Sequence, residues 1–308
     1  MLDPTALLTE LYVLIDDWDK TQPPPLPTPG PAPHLCRSEV LTLAVFGQWD
    51  VFASERAFWR YAERRLRPLF PGLPSRIQFL RAVRRWADHL AALAVWLGQQ
   101  LAAPSCPYEI IDATGVATRN AQRRGRGWLA AQSGKGKCSR LGWYWGVRLL
   151  VSSTPQGAIT GFVLDPANRN ERHLAETLLA ERAQPEPRLP SAGQAVSQCY
   201  LADGGFAGAE WEQRWQTAYG AEVHCPPQGN HARAWSAEQR RDLAARRQII
   251  ETVMERLLNR FRLATDRLHS LAGLQARTAA KVTLHNVCLW LNRRLGRPAL
   301  AFAELVDW

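Results

Sequence analysis

The chain has 308 residues, of which 46% are hydrophobic and 21% charged, so it has ample apolar side chains for a core and is not a disordered protein. No stretch approaches the roughly 18 uninterrupted apolar residues that a membrane span requires, and Asp3 and Glu10 stand where a signal peptide would carry basic residues. We therefore expect a soluble, cytoplasmic protein with no membrane partner.

The net charge is +10, and nearly all of the basic excess is arginine, because lysine occurs only at Lys20, Lys135, Lys137 and Lys281. Arginine pairs with phosphate through two hydrogen bonds and stacks on nucleobases, so this composition favours a nucleic-acid partner. An arginine excess can also reflect GC-rich coding alone. The six cysteines are too widely spaced for paired zinc ligands, which indicates reduced thiols.

The first third of the chain is predicted to be helical. Residues 1–21 have helical spacing and form a short arm, and residues 22–33 contain seven prolines, which predict a stiff linker. Residues 34–104 form an all-α N-terminal domain of three predicted helices, in which Ser38 and Ser75 are expected as N-caps. The helices are SEVLTLAVFGQWDVF, ERAFWRYAERRL and SRIQFLRAVRRWADHLAALAVWLGQQLA.

The third predicted helix has one apolar face and an otherwise basic surface. The apolar face consists of Ile77, Leu80, Val83, Trp86 and Leu90. The basic surface makes residues 34–104 a candidate DNA-binding domain of the helix-turn-helix type, although a charged helix face is equally typical of plain solvent exposure.

From residue 105 onward the pattern changes to alternating strands and helices. YEIIDATGV predicts a strand, and LGWYWGVRLLVSS and GAITGFVLD predict a hairpin that turns at STPQG. Helices and strands then alternate through a long helix, AEQRRDLAARRQIIETVMERLLNRF, and a final helix is expected to cover the C-terminal end. This order predicts an α/β fold, with a mixed sheet flanked by helices, over residues 105–308.

Three carboxylates stand out in this region. Asp112 and Asp203 are each predicted to end an apolar strand, where ligands gather in α/β folds, although an Asp can also simply begin a turn. Glu251 lies among apolar residues on the long helix, four residues after Arg247, with which it could form only a weak helical pair. Three such oxygen donors can hold two Mg²⁺ or Mn²⁺ ions for in-line phosphoryl transfer.

Residues from about Tyr108 to Leu295 resemble the DDE transposases of bacterial insertion sequences. The resemblance is carried by IIDATGV, the glycine-turned hairpin, LDPANRNERH, YLADGGF and RRQIIETVMERLLNRFRL, with the three acids in the family's order. Glu171 stands where the family commonly has Asp, and Leu258 stands where some relatives have a lysine that contacts phosphate. Arg247 matches the family, whereas Arg256 and Arg260 are candidate replacements for that lysine. Glu255 is an alternative to Glu251.

The resemblance implies an RNase H-like catalytic domain that cuts the ends of an insertion sequence and joins the freed 3′-hydroxyl to target DNA. Asp112, Asp203 and Glu251 would be the catalytic residues and the ligands of two Mg²⁺ ions, with Mn²⁺ as a substitute. Implied partners are double-stranded DNA, both terminal inverted repeats and target, and a second copy of the chain in a homodimer on DNA. A bacterial, nucleoid-associated location follows. A catalytically inactive DNA-binding descendant and a non-transposing nuclease of the same fold are the alternatives.

A basic, glycine-rich segment between the first strand and the hairpin is the strongest candidate for DNA contact, since cations neutralise phosphates and a tryptophan can stack on a displaced base. Its glycines are expected to let the backbone approach phosphate, although such a segment can also be a disordered loop. Of Trp143, Tyr144 and Trp145, at least one is expected to face the core. The predicted DNA-binding residues are Arg119, Arg123, Arg124, Arg126, Trp128, Lys135, Lys137, Arg140, Arg247, Arg256 and Arg260.

Overall fold

A computed structural model describes residues 2–25, 30, 32–119, 129–227, 235–266 and 269–308. The N-terminal third is helical, as expected. Its helices are α1 (Pro4–Lys20), α2 (Arg37–Phe46), α3 (Glu55–Tyr61), which continues into a π-helical turn (Ala62–Leu66), α4 (Arg76–Arg85) and α5 (Ala87–Leu101).

The N-cap predicted at Ser38 is wrong, whereas the N-cap at Ser75 is confirmed. Helix α2 begins after Cys36, whose backbone N–H donates to the Glu39 carboxylate at 2.7 Å. Ser38 lies inside the helix, and its hydroxyl donates to Asp16 Oδ1 of α1 at 2.8 Å. That side chain therefore ties α1 to α2 and is not available to cap the helix.

The third predicted helix is in fact two helices, because the chain leaves helical geometry at Trp86, where ψ is 21°. The predicted apolar face of its first half is confirmed in part, because Leu80, Val83 and Trp86 pack against the core, but it is wrong at Ile77. Phe79 is the buried residue of α4, whereas Ile77 is 58% exposed. The break turns α5 into the core, where Leu90 is fully buried as predicted.

The sheet has six strands, β1 (Glu109–Ala117), β2 (Gly134–Cys138), β3 (Gly142–Ser153), β4 (Ile159–Pro166), β5 (Cys199–Leu201) and β6 (Glu222–His224). Their order is β2-β3-β1-β5-β6, with β4 paired to β3. The contacts of β3 with β1, β2 and β4 are antiparallel, and those of β5 with β1 and β6 are parallel. The predicted mixed sheet and RNase H-like fold are confirmed, and strand β2 is an addition to the prediction.

Helices cover both faces of the sheet. They are α6 (Glu171–Arg182), α7 (Ala209–Tyr219), α8 (Ala237–Glu255), which continues into a π-helical turn (Arg256–Arg260), and α9 (Leu271–Arg294). Two short 3-10 turns occur at Pro190–Ala192 and Leu263–Thr265. Within the described residues, one apolar cluster joins one face of the sheet to α5, α8 and α9, and a second joins the other face to α6 and α7.

Helix α9 does not merely cover the C-terminal end, as predicted, but is the central helix of the larger core. Asn286 is fully buried on it, where its Nδ2 donates to Ala94 O and Ile159 O at 2.8 and 2.9 Å, and its Oδ1 accepts from Ile159 N at 2.9 Å. One side chain thus satisfies backbone groups of both α5 and β4.

The larger apolar cluster extends from Leu7 of α1 to Val306, so the arm and the N-terminal helices pack on the same core as the sheet. The boundaries at residues 21, 33 and 104 therefore mark no break in that core. The division into an arm, a linker, a helical domain and a catalytic domain stays a prediction about folding units.

Candidate active site

Asp112 and Asp203 lie next to each other because their strands are parallel neighbours. Ile110 of β1 pairs with Leu201 of β5, and each aspartate follows two residues after its member of that pair. Adjacent strands are about 4.8 Å apart, so the two carboxylates meet at the carboxyl end of β5. The predicted position of Asp112 at a strand end is wrong, since β1 continues to Ala117 in register with β3.

The carboxylate of Asp112 is held in a costly environment. Its pKa is raised to about 6, chiefly by burial. The nearby Asp203 also raises this pKa, whereas Arg247, whose Nη2 lies 3.5 Å from Asp112 Oδ2, lowers it. The second oxygen, Oδ1, accepts the backbone N–H of Ala113 at 2.8 Å. An acid in such surroundings gains from any additional cation that binds beside it.

Glu171, at the first position of α6, is a third acid beside this pair. The space at Gly205 shows how close it is, because a Cβ built there would lie 2.5 Å from Glu171 Oε2 and 2.9 Å from Asp203 Oδ1. Burial and Asp203 raise the pKa of Glu171, whereas Arg148, 3.2 Å away, lowers it. Sequence reasoning noted Glu171 only through the family resemblance, since nothing in its local pattern marks it as a site residue.

Glu251 lies on α8 and is exposed, as is Glu255 one turn later. It is one helical turn from Arg247, and residues at this spacing have Cβ atoms about 5–6 Å apart. The long helix therefore presents Glu251 next to the residue that contacts Asp112. Among the described residues, however, no group of three or more His, Cys, Asp or Glu side chains is arranged closely enough to hold a metal ion. The role of Glu251 stays a prediction.

Part of the basic segment, Gly134–Cys138, forms strand β2. Lys135 and Lys137 are exposed on β2, Arg119 lies over the ring of Trp145 at 4.6 Å, and Arg140 donates to Gly115 O. Their roles in DNA binding stay predictions. Four further predicted residues lie outside the described residues: Arg123, Arg124, Arg126 and Trp128.

The sequence suggested that the glycines of the basic segment let the backbone approach phosphate, but the two glycines of β2 face the protein interior. Gly134 and Gly136 are buried, and a Cβ on them would meet Asn168 Oδ1 at 2.0 Å and Ala167 O at 2.7 Å. They are required because β2 packs closely against the chain that follows β4. Tyr144 faces the core at 4% exposure, as expected for one of the three consecutive aromatic residues.

Arg256 and Arg260 lie in the π-helical turn and contact the C-terminal segment. The Arg256 guanidinium lies 4.4 Å from the centre of the Phe302 ring, and Arg260 donates to Phe302 O at 3.1 Å. Arg260 also forms an ion pair with Asp50 at 3.3 Å. These contacts stabilise the C-terminal segment, and a phosphate contact by either residue stays a prediction.

The family model for the transposase DDE domain matches residues 110–287, which is more than half of the chain. The chain therefore belongs to the DDE transposase family, whose members act on DNA and generally use divalent metal ions. The match includes both aspartates, Glu171, Arg247 and Glu251. Searches of curated proteins and of solved structures gave no match. Within the described part of the chain, no helix is both long and apolar enough to cross a membrane.

Proposed function

We propose that this chain is a DNA transposase that cuts the ends of an insertion sequence and joins the freed 3′-hydroxyl to target DNA. The observation that carries the proposal is the placement of Asp112 beside Asp203, at the end of the parallel strand pair, inside the segment that matches the transposase family. Asp112, Asp203 and Glu251 are the proposed catalytic residues.

The donor chemistry of this site fits Mg²⁺ or Mn²⁺, which prefer carboxylate oxygens. Burial disfavours the ionised form of Asp112, so a bound cation would compensate a charge that Arg247 alone compensates incompletely. Asp112, Asp203 and Glu251 would hold two ions, which would supply Lewis-acid stabilisation of the attacking and leaving oxygens. The arrangement requires the exposed Glu251 side chain to turn toward the two aspartates.

The chain's own residues would position the DNA strand. Arg247 lies at Asp112, so its guanidinium is available to a phosphate that enters the site, and its planar fork suits phosphate oxygens. Gly205 keeps the space beside Asp203 open, since any side chain there would meet Glu171 and Asp203. Carboxylates hold a cation in their ionised form, and the raised pKa of Asp112 makes its ionisation depend on pH near 6.

Double-stranded DNA is the proposed partner, both as terminal inverted repeats and as target. The net charge of +10 and the exposed cations of β2 support this, because phosphate neutralisation supplies most of the affinity of such complexes. A homodimer on DNA would hold two element ends together, and helices α2 to α5 would read the repeats. The proposed location is the nucleoid of a bacterium.

The inactive DNA-binding descendant is the second candidate. The exposure of Glu251, and the lack of a three-carboxylate group among the described residues, favour it. Against it stands the retention of Asp112 in surroundings that make its ionised carboxylate costly.

The test compares acid variants in two measurements. Mn²⁺ binding is followed by electron paramagnetic resonance, and cutting and joining are followed with labelled DNA from the element's ends. Glu251→Gln and Asp203→Asn should both weaken Mn²⁺ binding and abolish both products, whereas Glu255→Gln, on the same helix, should not. Unchanged Mn²⁺ binding and cutting in Glu251→Gln would refute the assignment of Glu251. DNA cutting without joined products would instead identify a nuclease.

A further inference from the structure

Trp143 is the most exposed of the large hydrophobic residues in the described chain, at 60% exposure. It lies on β3 directly opposite Lys137, and Lys135 is opposite Trp145. Residues that face each other across antiparallel strands share one face of the sheet. The outer face of this two-stranded ribbon, which we call the Trp143 face, therefore carries the four side chains of Lys135, Lys137, Trp143 and Trp145.

The packing of β2 forces both lysines onto that face. Gly134 and Gly136 alternate with them and are buried against the chain after β4, so the lysines must point to the opposite side. Their ammonium groups lie 4.9 and 5.8 Å from the centre of the Trp143 ring. The face thus combines an accessible aromatic ring with two positive charges.

Asp112 lies on the same side of the sheet as Trp143, but Val147 and Leu149, which lie between them on β3, are buried in the larger apolar cluster. Trp143 and Val151 are eight residues apart on β3, so their side chains point to the same side, and Val151 lies directly opposite Asp112. No register shift interrupts β3 between Gly142 and Ser152. At about 3.3 Å per residue, Trp143 lies about 26 Å along the strand from the acids.

We propose that Trp143 stacks on an unpaired DNA base outside the site of cutting, while Lys135 and Lys137 hold the neighbouring phosphates. The inference rests on the proposed function, because it takes DNA as the occupant of this face. Positive charge around the ring selects a polyanion, and an exposed indole ring selects the planar face of a base. Trp145, which is half-buried under Arg119 and donates to Ser133 Oγ at 2.7 Å, supports the ribbon from beneath.

The test measures binding of the full chain in EDTA, so that it is independent of cutting. Two duplexes of equal length are used, one fully paired and one with a single unpaired 2-aminopurine, whose fluorescence is quenched on stacking. The wild-type protein should bind the second duplex more tightly and quench its fluorescence. Trp143→Ala should bind it about 5- to 150-fold more weakly and leave the paired duplex unaffected, whereas Trp143→Phe should retain part of the preference.

Lys137→Gln is the matched control for charge. It should weaken binding of both duplexes equally and reduce the dependence of binding on salt by about one phosphate contact. Equal affinity of Trp143→Ala and wild type for the unpaired duplex, or no quenching by the wild-type protein, would overturn the stacking proposal and leave the transposase proposal standing. Failure of the wild-type protein to bind either duplex would overturn both. Because quenching is measured on the wild type, a variant that fails to fold does not leave the question open.

Discussion

Replacing Asp112 with Asn should make the protein more stable, and the gain should depend on pH. Asn imitates the protonated acid, so the variant lacks the cost of an ionised carboxylate in a buried position. The pKa of Asp112 is raised by burial from 3.8 to about 6 in the folded state. The folded protein consequently binds this proton more tightly than the unfolded chain does.

The sign and size of the effect follow from this difference. Between pH 4 and 6 the folded state binds more protons, so the stability of the wild-type protein falls as the pH rises and levels off above about pH 6. A difference of two pKa units corresponds to about 3 kcal/mol, at 1.36 kcal/mol per unit. Part of this difference is already present at pH 4, so the free energy of unfolding of Asp112→Asn, relative to wild type, should rise by about 2.5 kcal/mol from pH 4 to pH 7.5.

Urea denaturation at several pH values in EDTA measures this difference, with Asp307→Asn as a control for loss of an exposed carboxylate near the C-terminus. The attraction between Asp112 and Arg247 exists only while Asp112 is ionised, so its loss is already part of this pH-dependent difference. Mg²⁺ should stabilise the wild-type protein and not the Asp112→Asn variant. A difference in stability that is constant from pH 4 to 7.5 would refute the reasoning about burial.

Three further substitutions test the surroundings of the site and the core. Glu171→Gln should lower the pKa of Asp112, because the Glu171 charge is among the causes that raise it. The midpoint of the pH-dependent change in stability should therefore move to lower pH. An unmoved midpoint would show that Glu171 does not act on Asp112. Asn286→Ala should reduce the free energy of unfolding in urea by about 3 kcal/mol, since buried backbone groups lose their partners, and a loss under 1 kcal/mol would contradict this. Glu109→Gln should cost about 3–5 kcal/mol in the same assay, because it leaves the buried Arg182 charge without its carboxylate at 3.0 Å, and near-neutral behaviour would refute that role.

The sequence pattern singled out the two aspartates, because each follows a short apolar run, Ile110–Ile111 before Asp112 and Tyr200–Ala202 before Asp203, and such runs are typical of buried strands. Their catalytic role stays a prediction. The sequence did not predict that they are adjacent from local pattern alone, since that depends on the parallel register of Ile110 with Leu201. It also placed Asp112 at a strand end, because the apolar run ends at Ile111. Pairing with β5 does stop at Ile110, but pairing with β3 continues to Ala117, so Asp112 lies within β1.

The position of Glu171 and the strand conformation of β2 could not be predicted from local sequence pattern. Glu171 begins a helix and resembles any acid in a first helical turn, and only the folded chain brings it to Asp203. The segment Gly134–Cys138 lacks β-branched residues, so its composition predicts a loop. It is nevertheless a strand, because its glycines allow close packing against Ala167 and Asn168.

The break in the third predicted helix has a similar origin. Helical periodicity continues through Trp86, and no glycine or proline marks the change of direction. The Arg37 guanidinium of α2 lies 5.4 Å from the centre of the Trp86 ring, and Trp86 packs against the larger apolar cluster, so tertiary contacts hold this residue. Tertiary contacts outweigh helix propensity here, and the chain changes direction so that α5 packs in the core.

Metal-dependent cutting of DNA at the ends of the element tests the central claim most directly. The full chain is incubated with labelled DNA from the flanks of its own reading frame, in Mg²⁺ or in EDTA, beside the Asp112→Asn variant. We expect strand cuts at the element's ends in Mg²⁺ and not in EDTA, and no cuts with the Asp112→Asn variant. Tight binding of that DNA without cuts in either Mg²⁺ or Mn²⁺ would contradict the account and identify a DNA-binding protein that has lost catalysis.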